Sequence, residues 1–417
     1  MAIRIIVTRN KASVKAGSLK LRISDVLSSD RKSRLNPDST YTKITLLLVS
    51  SLTVMSGATI APALPSMQAH FSTVGNVDLW IRFVLTVPAL FIVLAAPFTG
   101  WFVDRWGRRP LLLPAVILYG LAGSSGMYLE SLGFIIFGRA LLGVAVAGVM
   151  TTATTLIADY YEGPTRAQVM GWQAAFMSLG GMIFLTGGGF LADINWRMPF
   201  AIYLFSFLLI PLVLISLPEP VVRSSEEARG LNGEMTNPDS GLNHWKLPGF
   251  IYSVLFLGSI IFYIIPLQLP FYLELEFGLD ASATGMAIAV ATFFGIITSF
   301  TYGRIRLQFG YIAILSITIA LYGAGFLLIG IAESFPVILT GLSLCGLGMG
   351  LKYPNLNTWL TSGTPADIRG RAVAGFTTSV FLGQFLSPIA SQPLVNLYGL
   401  EMMFYAVGLF LLITGLI

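Results

Sequence analysis

Charged residues crowd into one short segment between two apolar runs. Residues 100–110 read Gly-Trp-Phe-Val-Asp-Arg-Trp-Gly-Arg-Arg-Pro, with one acid and three arginines. Asp159 and Arg166 stand near each other between two further apolar runs. Charged groups are expensive to hold in hydrocarbon, whereas at a membrane edge they can pair with one another. The expected chemistry of these side chains is therefore ionic contact at one membrane surface.

Two cations, Arg139 and Lys352, lie inside apolar runs. Arg139 is roughly 10 Å of helix away from the start of its run. A guanidinium at that depth must face water or a partner, or extend outward to the surface. Lys352 lies near the other end of its run and is expected to extend to the cytoplasmic surface. Its neighbours Asn355 and Asn357 leave a substrate or gating role open.

Uncharged hydrogen-bonding groups also occur inside the apolar runs, and they suit a partly hydrated cavity. Bonding between helices and contact with a substrate are equally good interpretations of the glutamines. A tyrosine in the same set could line an apolar pocket. The candidates are Gln173, Tyr263, Gln268 and Gln384.

Several classes of function lack their residues. No Gly-x-x-x-x-Gly-Lys-Ser/Thr loop is present to bind a nucleotide phosphate. The two histidines, His70 and His244, lie in loops, and the carboxylates do not cluster, so no catalytic site is expected. Cys345 is the only cysteine, which excludes a disulfide framework and a cysteine metal site. We expect no enzymatic activity, no cofactor, no metal and no nucleic-acid partner.

The elements that position these residues are membrane spans. Hydrophobic residues make up 55% of the 417 positions and charged residues 11%, against about 25% charged in a soluble domain. Apolar runs of about 20 residues cross a hydrocarbon core. Twelve runs are predicted to do so: 44–67, 81–103, 110–129, 132–157, 168–190, 198–217, 248–272, 282–303, 311–331, 335–359, 372–394 and 401–417.

Basic residues predict the orientation of these spans. With a cytoplasmic N-terminus, the cytoplasmic segments hold 21 of the 25 lysines and arginines. This asymmetry indicates a multi-pass protein of the plasma membrane with both termini in the cytoplasm. The first 40 residues carry nine basic and three acidic side chains. They read as a tail attracted to anionic lipid, with a transit peptide or a misassigned start as alternatives.

An internal repeat divides the chain into halves. Gly100 and Gly107 recur 203 positions later as Gly303 and Gly310. We therefore expect an all-α membrane protein whose twelve transmembrane helices form two pseudo-symmetric six-helix bundles. The expected parts are a basic tail at 1–43, a first bundle at 44–217, a linker at 218–247 and a second bundle at 248–417.

The charged segment resembles the signature loop of the major facilitator superfamily, with its spacing carried by Gly100, Asp104, Arg105, Gly107, Arg108 and Arg109. Asp159 and Arg166 resemble a second element of that family. The resemblance implies a substrate site between the halves at mid-depth. It also implies a cytoplasmic network that latches the halves while the site faces outward, formed by Asp104, Arg105, Arg109, Asp159 and Arg166. In the alternative interpretation, the arginines only hold the loop inside.

Two further segments resemble the drug-exporting branch of that family. Residues 139–143, Arg-Ala-Leu-Leu-Gly, are similar to a motif in which the arginine tunes a proton carrier or binds an anion. The fifth span keeps four of six positions of an exporter motif, namely Gly171, Gly180, Gly188 and Gly189. The motif's Gly-Pro pair is replaced by Phe184 and Leu185, and Ser56 stands where many exporters have an aspartate.

The resulting expectation is a monomeric secondary transporter in the lipid bilayer. It would export small amphipathic or hydrophobic compounds by alternating access, driven by protons. No acid lies deep in a span, so the candidate proton carriers are peripheral: Asp78, Asp159, Glu274 and Glu276. The alternatives are metabolite uptake or facilitated diffusion, lipid flipping, and a receptor that transports nothing.

Overall fold

The structure, a computed structural model, describes residues 37–220, 245–365 and 368–416. Every regular element among these residues is a helix. The expected basic tail at 1–43 and the linker at 218–247 lie mostly outside the described residues.

The first half contains seven α-helices among the described residues, joined by short links. Three 3₁₀ helices occur within them, at Ala61–Ala63, Ser124–Met127 and Met198–Leu204. The α-helices are α1 Thr40–Ala58, α2 Leu64–His70, α3 Val77–Trp106, α4 Arg108–Gly123, α5 Leu132–Tyr160, α6 Gly163–Ile194 and α7 Phe205–Ser216.

The second half repeats this pattern with longer uninterrupted helices. They are α8 Lys246–Phe277, α9 Ala281–Gln308, α10 Tyr311–Gly330, α11 Phe335–Gly363 and α12 Arg369–Leu416. The last helix is divided at Gly399, whose φ of 81° and ψ of 171° are not helical. A residue with a side chain adopts such a positive φ only with strain, which explains the glycine there.

The described helices include 11 that are long and apolar enough to span a membrane, the last running from Arg369 to Gly415. Because that helix is divided at Gly399, it supplies two crossings. The expected all-α membrane protein, with twelve spans in two six-helix bundles, is confirmed.

One predicted span is not continuous. The expected helix over 44–67 is interrupted after Ala58 by the 3₁₀ turn Ala61–Ala63. Pro62 and Pro65 cause the break, because a proline has no N–H to donate to the preceding turn. The broken segment is buried between the two halves, with Ile60 and Leu64 fully enclosed.

Small residues allow the helices of the first half to pack closely around α5. A Cβ on Gly143 would lie 2.4 Å from the backbone oxygen of Pro88 on α3. A Cβ on Gly148 would lie 2.9 Å from the Cβ of Ala115 on α4. Such close crossings are the usual means by which membrane helices associate.

The halves meet unequally at the two membrane faces. We call the face that carries the 100–110 link the loop face, and the opposite one the gate face. The end of α6 packs on the start of α9 at the gate face, where a Cβ on Gly189 would lie 3.2 Å from Cα of Gly285. At the loop face, residues 163–168 and 170–172 of α6 are all exposed. Val169, between these two stretches, is 1% exposed, so α6 packs on one side here and is uncovered by either half on its other sides.

Candidate functional site

The gate face is held closed by an arginine that crosses between the halves. Arg82 on α3 donates from Nε and Nη2 to Oε1 of Gln268 on α8, at 3.0 and 2.8 Å. The guanidinium also lies 4.2 Å from the ring centre of Phe271. Gln268 in turn donates to Ser391 Oγ and Gln392 Oε1 on α12, at 3.2 and 3.3 Å. Three helices are therefore joined through one buried amide.

Asp78 and Arg82 are spaced i, i+4, which by itself predicts a surface ion pair, but the structure places Arg82 differently. Arg82 is 3% exposed, and its Nη1 donates to the backbone oxygen of Asp78 at 2.7 Å. The carboxylate of Asp78 accepts from Nε2 of Gln68 at 2.7 Å. The second half of the protein covers Arg82. The spacing of charged residues within a single helix gives no information about such a distant contact. A buried arginine whose acceptors are neutral depends on every one of its bonds.

Two further contacts close the gate face. Ser282, at the start of α9, donates its backbone N–H to Oδ1 of Asp193 on α6 at 3.1 Å. A carboxylate at a helix N-terminus is favourable because the free N–H groups there carry partial positive charge. Phe83 and Phe385 stack across the halves with ring centres 5.7 Å apart.

The four glycines singled out in the fifth span, now α6, differ in their surroundings. A Cβ on Gly188 would lie 2.2 Å from the backbone oxygen of Thr59, and one on Gly189 would lie 2.8 Å from that of Ala281. A Cβ on Gly180 would lie 3.1 Å from the Cβ of Ser51, whereas Gly171 has open space around it. Only Gly189 contacts the second half.

Arg139 lies in the centre of the first half and does not reach the surface. It is fully buried, and it donates from Nε to Val84 O at 2.9 Å and from Nη2 to Ser56 O at 2.7 Å. Its Cζ is 5.1 Å from the ring centre of Tyr203. Its Nη1 has no partner among the described residues. The guanidinium thus joins three helices and keeps one donor free.

Tyr263 connects Arg139 to the second half. It lies on α8 and is 6% exposed, and its hydroxyl is 3.2 Å from the position of a Cβ on Gly57. Tyr263 is close enough to Arg139 and to Tyr353 on α11 to interact electrostatically with both. The meeting point of the halves at mid-depth is therefore aromatic and lined by hydroxyl groups.

Lys352 is buried in the second half and does not extend to a surface. Its side chain is on α11, and the residue is 3% exposed. Nζ donates to the backbone oxygen of Gly258 on α8 at 3.2 Å. The ammonium nitrogen lies 5.4, 5.6 and 4.6 Å from the ring centres of Phe262, Tyr322 and Tyr353. Aromatic faces stabilise a cation, although less than a carboxylate does.

The remaining candidates from the polar set are spread over both halves. Gln173 donates to Ser50 Oγ at 2.9 Å within the first half. Asn355 is buried and donates to the backbone oxygen of Tyr311 at 3.0 Å. Asn357 is exposed and Gln384 is half-buried.

The charged groups at the loop face form a network inside the first half. Arg108 donates from Nε to Oδ2 of Asp159 at 2.7 Å, joining α4 to α5. Glu219 accepts from the backbone N–H groups of Arg108 and Arg109 at 2.7 and 2.8 Å. Arg109 also donates to Leu214 O at 2.5 Å. Glu219 therefore binds the N-terminus of α4, where an anion is favoured.

Gly107 makes this arrangement possible. Its φ is 96°, and a Cβ there would lie 2.5 Å from Oε1 of Glu219. Glu219 was not among the site residues predicted from the sequence. The signal was available, since it is an acid between Pro218 and Pro220 directly after an apolar run.

Three expected members of the latch take no part in this network. Asp104, Arg105 and Arg166 are exposed. Arg105 lies over the ring of Trp101 at 5.5 Å. The network thus joins elements of the first half and the start of the linker, and among the described residues its hydrogen bonds do not cross to the second half.

Residues 46–388 match the family model described as the Major Facilitator Superfamily, which covers more than half of the chain. The chain belongs to the major facilitator superfamily. It is 25% identical over 362 residues to the bacillibactin exporter of Bacillus subtilis (strain 168), covering 83% of this chain and 87% of that relative. It is 23% identical over 361 residues to multidrug resistance protein 1 of the same organism, covering 85% and 90%.

The fold of this superfamily member also matches solved structures. The D-xylose–proton symporter aligns with a TM-score of 0.70 at 15% identity, covering 90% of this chain and 96% of that one. An identity this low shows the fold alone. The protein is thus a membrane transporter of this superfamily and not an enzyme.

Proposed function

We propose that this transporter exports small amphipathic or hydrophobic compounds from the cell in exchange for protons, by alternating access. The observation that carries the proposal is the inequality between the faces. Arg82 and Gln268 bond the halves at the gate face, while α6 stands uncovered at the loop face. Two rigid bundles that meet at one face and part at the other form one of the two states that alternating access requires.

Similarity to exporters supports the direction of transport. Two relatives that align with more than four fifths of this chain are named a bacillibactin exporter and a multidrug resistance protein. The mid-depth contact around Tyr263, with apolar and aromatic neighbours, suits an amphipathic ligand.

The distribution of charge supports the orientation. Arg105, Arg108, Arg109 and Arg166 lie at the loop face, and cytoplasmic loops carry an excess of such residues. We therefore assign the loop face and both termini to the cytoplasmic side of the plasma membrane. We infer that the protein acts as a monomer in the lipid bilayer, since one buried apolar core runs through both halves of the same chain.

Ethidium uptake into inverted membrane vesicles tests this function. With an imposed proton gradient, acidic inside, vesicles containing the protein should accumulate ethidium faster than vesicles without it. A protonophore should abolish the difference. Equal fluxes with and without the gradient would contradict proton coupling, and gradient-driven loss of ethidium from the vesicles would indicate import. Binding of ethidium without any flux would indicate a receptor.

A further inference from the structure

A proton-coupled exporter needs a group that gains and loses a proton during the cycle. The acidic residues at or near the spans lie close to helix ends, as Asp78, Asp159, Glu274 and Glu276 do. Arg139 is deeply buried, but a guanidinium keeps its proton in proteins. An amine can gain and lose a proton, and Lys352 places an amine in the buried interior of the second half.

The surroundings of Lys352 do not compensate its charge. An ammonium has three N–H donors, and Gly258 O is the one hydrogen-bond acceptor that the described residues provide for it. Three aromatic rings surround the nitrogen. The hydroxyl of Tyr322 is buried without a partner among the described residues.

The titratable neighbours carry no opposite charge. They are Tyr263 on α8, Tyr322 on α10, and Tyr353 and Cys345 on α11. The charged residues of α9, Arg304 and Arg306, lie in its last turns, where Arg306 is 3.8 Å from the ring centre of Tyr311. The charged residues of α12 are also distant from its middle. Arg369 and Arg371 lie in its first turn, and Glu401 lies beyond Gly399.

Tyr353 lies between the amine of Lys352 and the protein surface. Tyr353 is partly exposed, and its ring centre is 4.6 Å from Nζ of Lys352, so a movement of this side chain would open the amine to solvent. Tyr353 also lies near Tyr263, at the contact between the halves. A ligand bound there would displace the water that solvates the ammonium.

We propose that Lys352 carries the coupling proton, and that its protonated form and a bound substrate exclude each other. The inference rests on the proposed function. With the loop face open, substrate binding removes water, and the ammonium releases one H⁺ to the cytoplasm because an unpaired charge is costly in a dry, apolar site. After the gate face opens and the substrate leaves, the neutral amine takes one H⁺ from the outside. One proton enters for each substrate molecule exported.

Proton release on ethidium binding tests this inference. Purified full-length protein in weakly buffered detergent solution, followed with a pH indicator, should release about one proton per bound ethidium if one amine is involved. Lys352→Gln is neutral and should release none, and its ethidium affinity should no longer depend on pH. Lys352→Arg keeps its charge and should release none while binding ethidium more weakly. Lys246→Gln, at an exposed lysine of α8, is the matched control and should behave as the wild type.

The outcomes separate the inference from the proposed function. Absence of ethidium transport by the wild type would contradict the proposed function. Equal proton release by the wild type and Lys352→Gln would overturn the inference and leave proton-coupled export standing. Lys352→Met keeps the apolar part of the side chain without its charge, and it serves as a second neutral variant in the same binding and proton-release measurements. If neither neutral variant binds ethidium while Lys246→Gln does, Lys352 has a packing role and the inference is wrong.

Discussion

The gate face and the loop face both use arginines, but in opposite ways. Arg82 is 3% exposed and bonds a neutral amide of the other half. Arg108 pairs with Asp159, whose side chain is 28% exposed, and both belong to the same half. A bond between the halves must break when the transporter changes state, whereas one inside a half can persist. We therefore expect Arg82 and Gln268 to set the balance between states, and the charged network at the loop face to hold one bundle together.

The largest effect is expected when Arg82 loses its acceptor. Gln268→Leu leaves a buried guanidinium without two of its bonds, which costs about 2–5 kcal/mol in the gate-closed state. We expect ethidium transport to fall at least about 30-fold, since each 1.4 kcal/mol corresponds to about tenfold. Arg197 bonds Gly126 O and Leu129 O inside the first half, so Arg197→Gln is the control. Equal losses of transport in both variants would contradict the special role of the gate.

A smaller effect is expected from widening the contact between α6 and α9. Gly189→Ala places a Cβ 2.8 Å from Ala281 O, so the halves must separate slightly at the gate face. Transport should fall about tenfold, the cost of roughly 1–2 kcal/mol of overpacking. Gly171→Ala is the matched control on the same helix, because nothing lies within 4 Å of its Cβ. Normal transport by Gly189→Ala would show that the faces can close without this close approach.

Asp104→Asn tests whether the exposed acid joins a latch when the loop face closes. Asp104 is exposed in this state, so the melting temperature and membrane expression should be unchanged. Transport should fall several-fold if the state with the loop face closed loses an ion pair, worth about 1 kcal/mol. Loss of the protein from the membrane would instead mean that the residue serves topology and folding.

The smallest effect on transport is expected inside the loop network. Asp159→Asn weakens a partly exposed pair that remains within one half, which is worth about 1 kcal/mol of stability. The melting temperature in detergent should fall by a few degrees, and ethidium transport by less than about twofold if the balance of states is untouched. A loss of transport as large as that of Gln268→Leu would remove the distinction between the two faces.

The fold could be predicted because its signal is local and repeated. Each span is an apolar run of about the bilayer thickness, and the paired positions Gly100 and Gly303 mark the two halves. The break in the first span was not predicted, although Pro62 and Pro65 indicate it. Length and hydropathy alone do not register the loss of a backbone donor.

The gate could not be predicted, because its partners are distant in the sequence. Arg82 and Gln268 are separated by 186 positions, and nothing near either residue specifies the other. The helix of Arg82 begins at Val77, and the second half buries its side chain. Lys352 was expected to reach the surface for a similar reason, since α8 and α10 supply the rings that enclose it.

Distance measurements between the halves test the central claim most directly. Spin labels on Val74→Cys and Glu276→Cys report on the gate face, and labels on Trp106→Cys and Leu307→Cys report on the loop face, at exposed positions. In the otherwise unchanged protein, we expect a short gate distance together with a long loop distance. Gln268→Leu should lengthen the first and shorten the second in the same molecules. A gate distance unchanged by Gln268→Leu would contradict the claim that the bond between Arg82 and Gln268 holds that face closed.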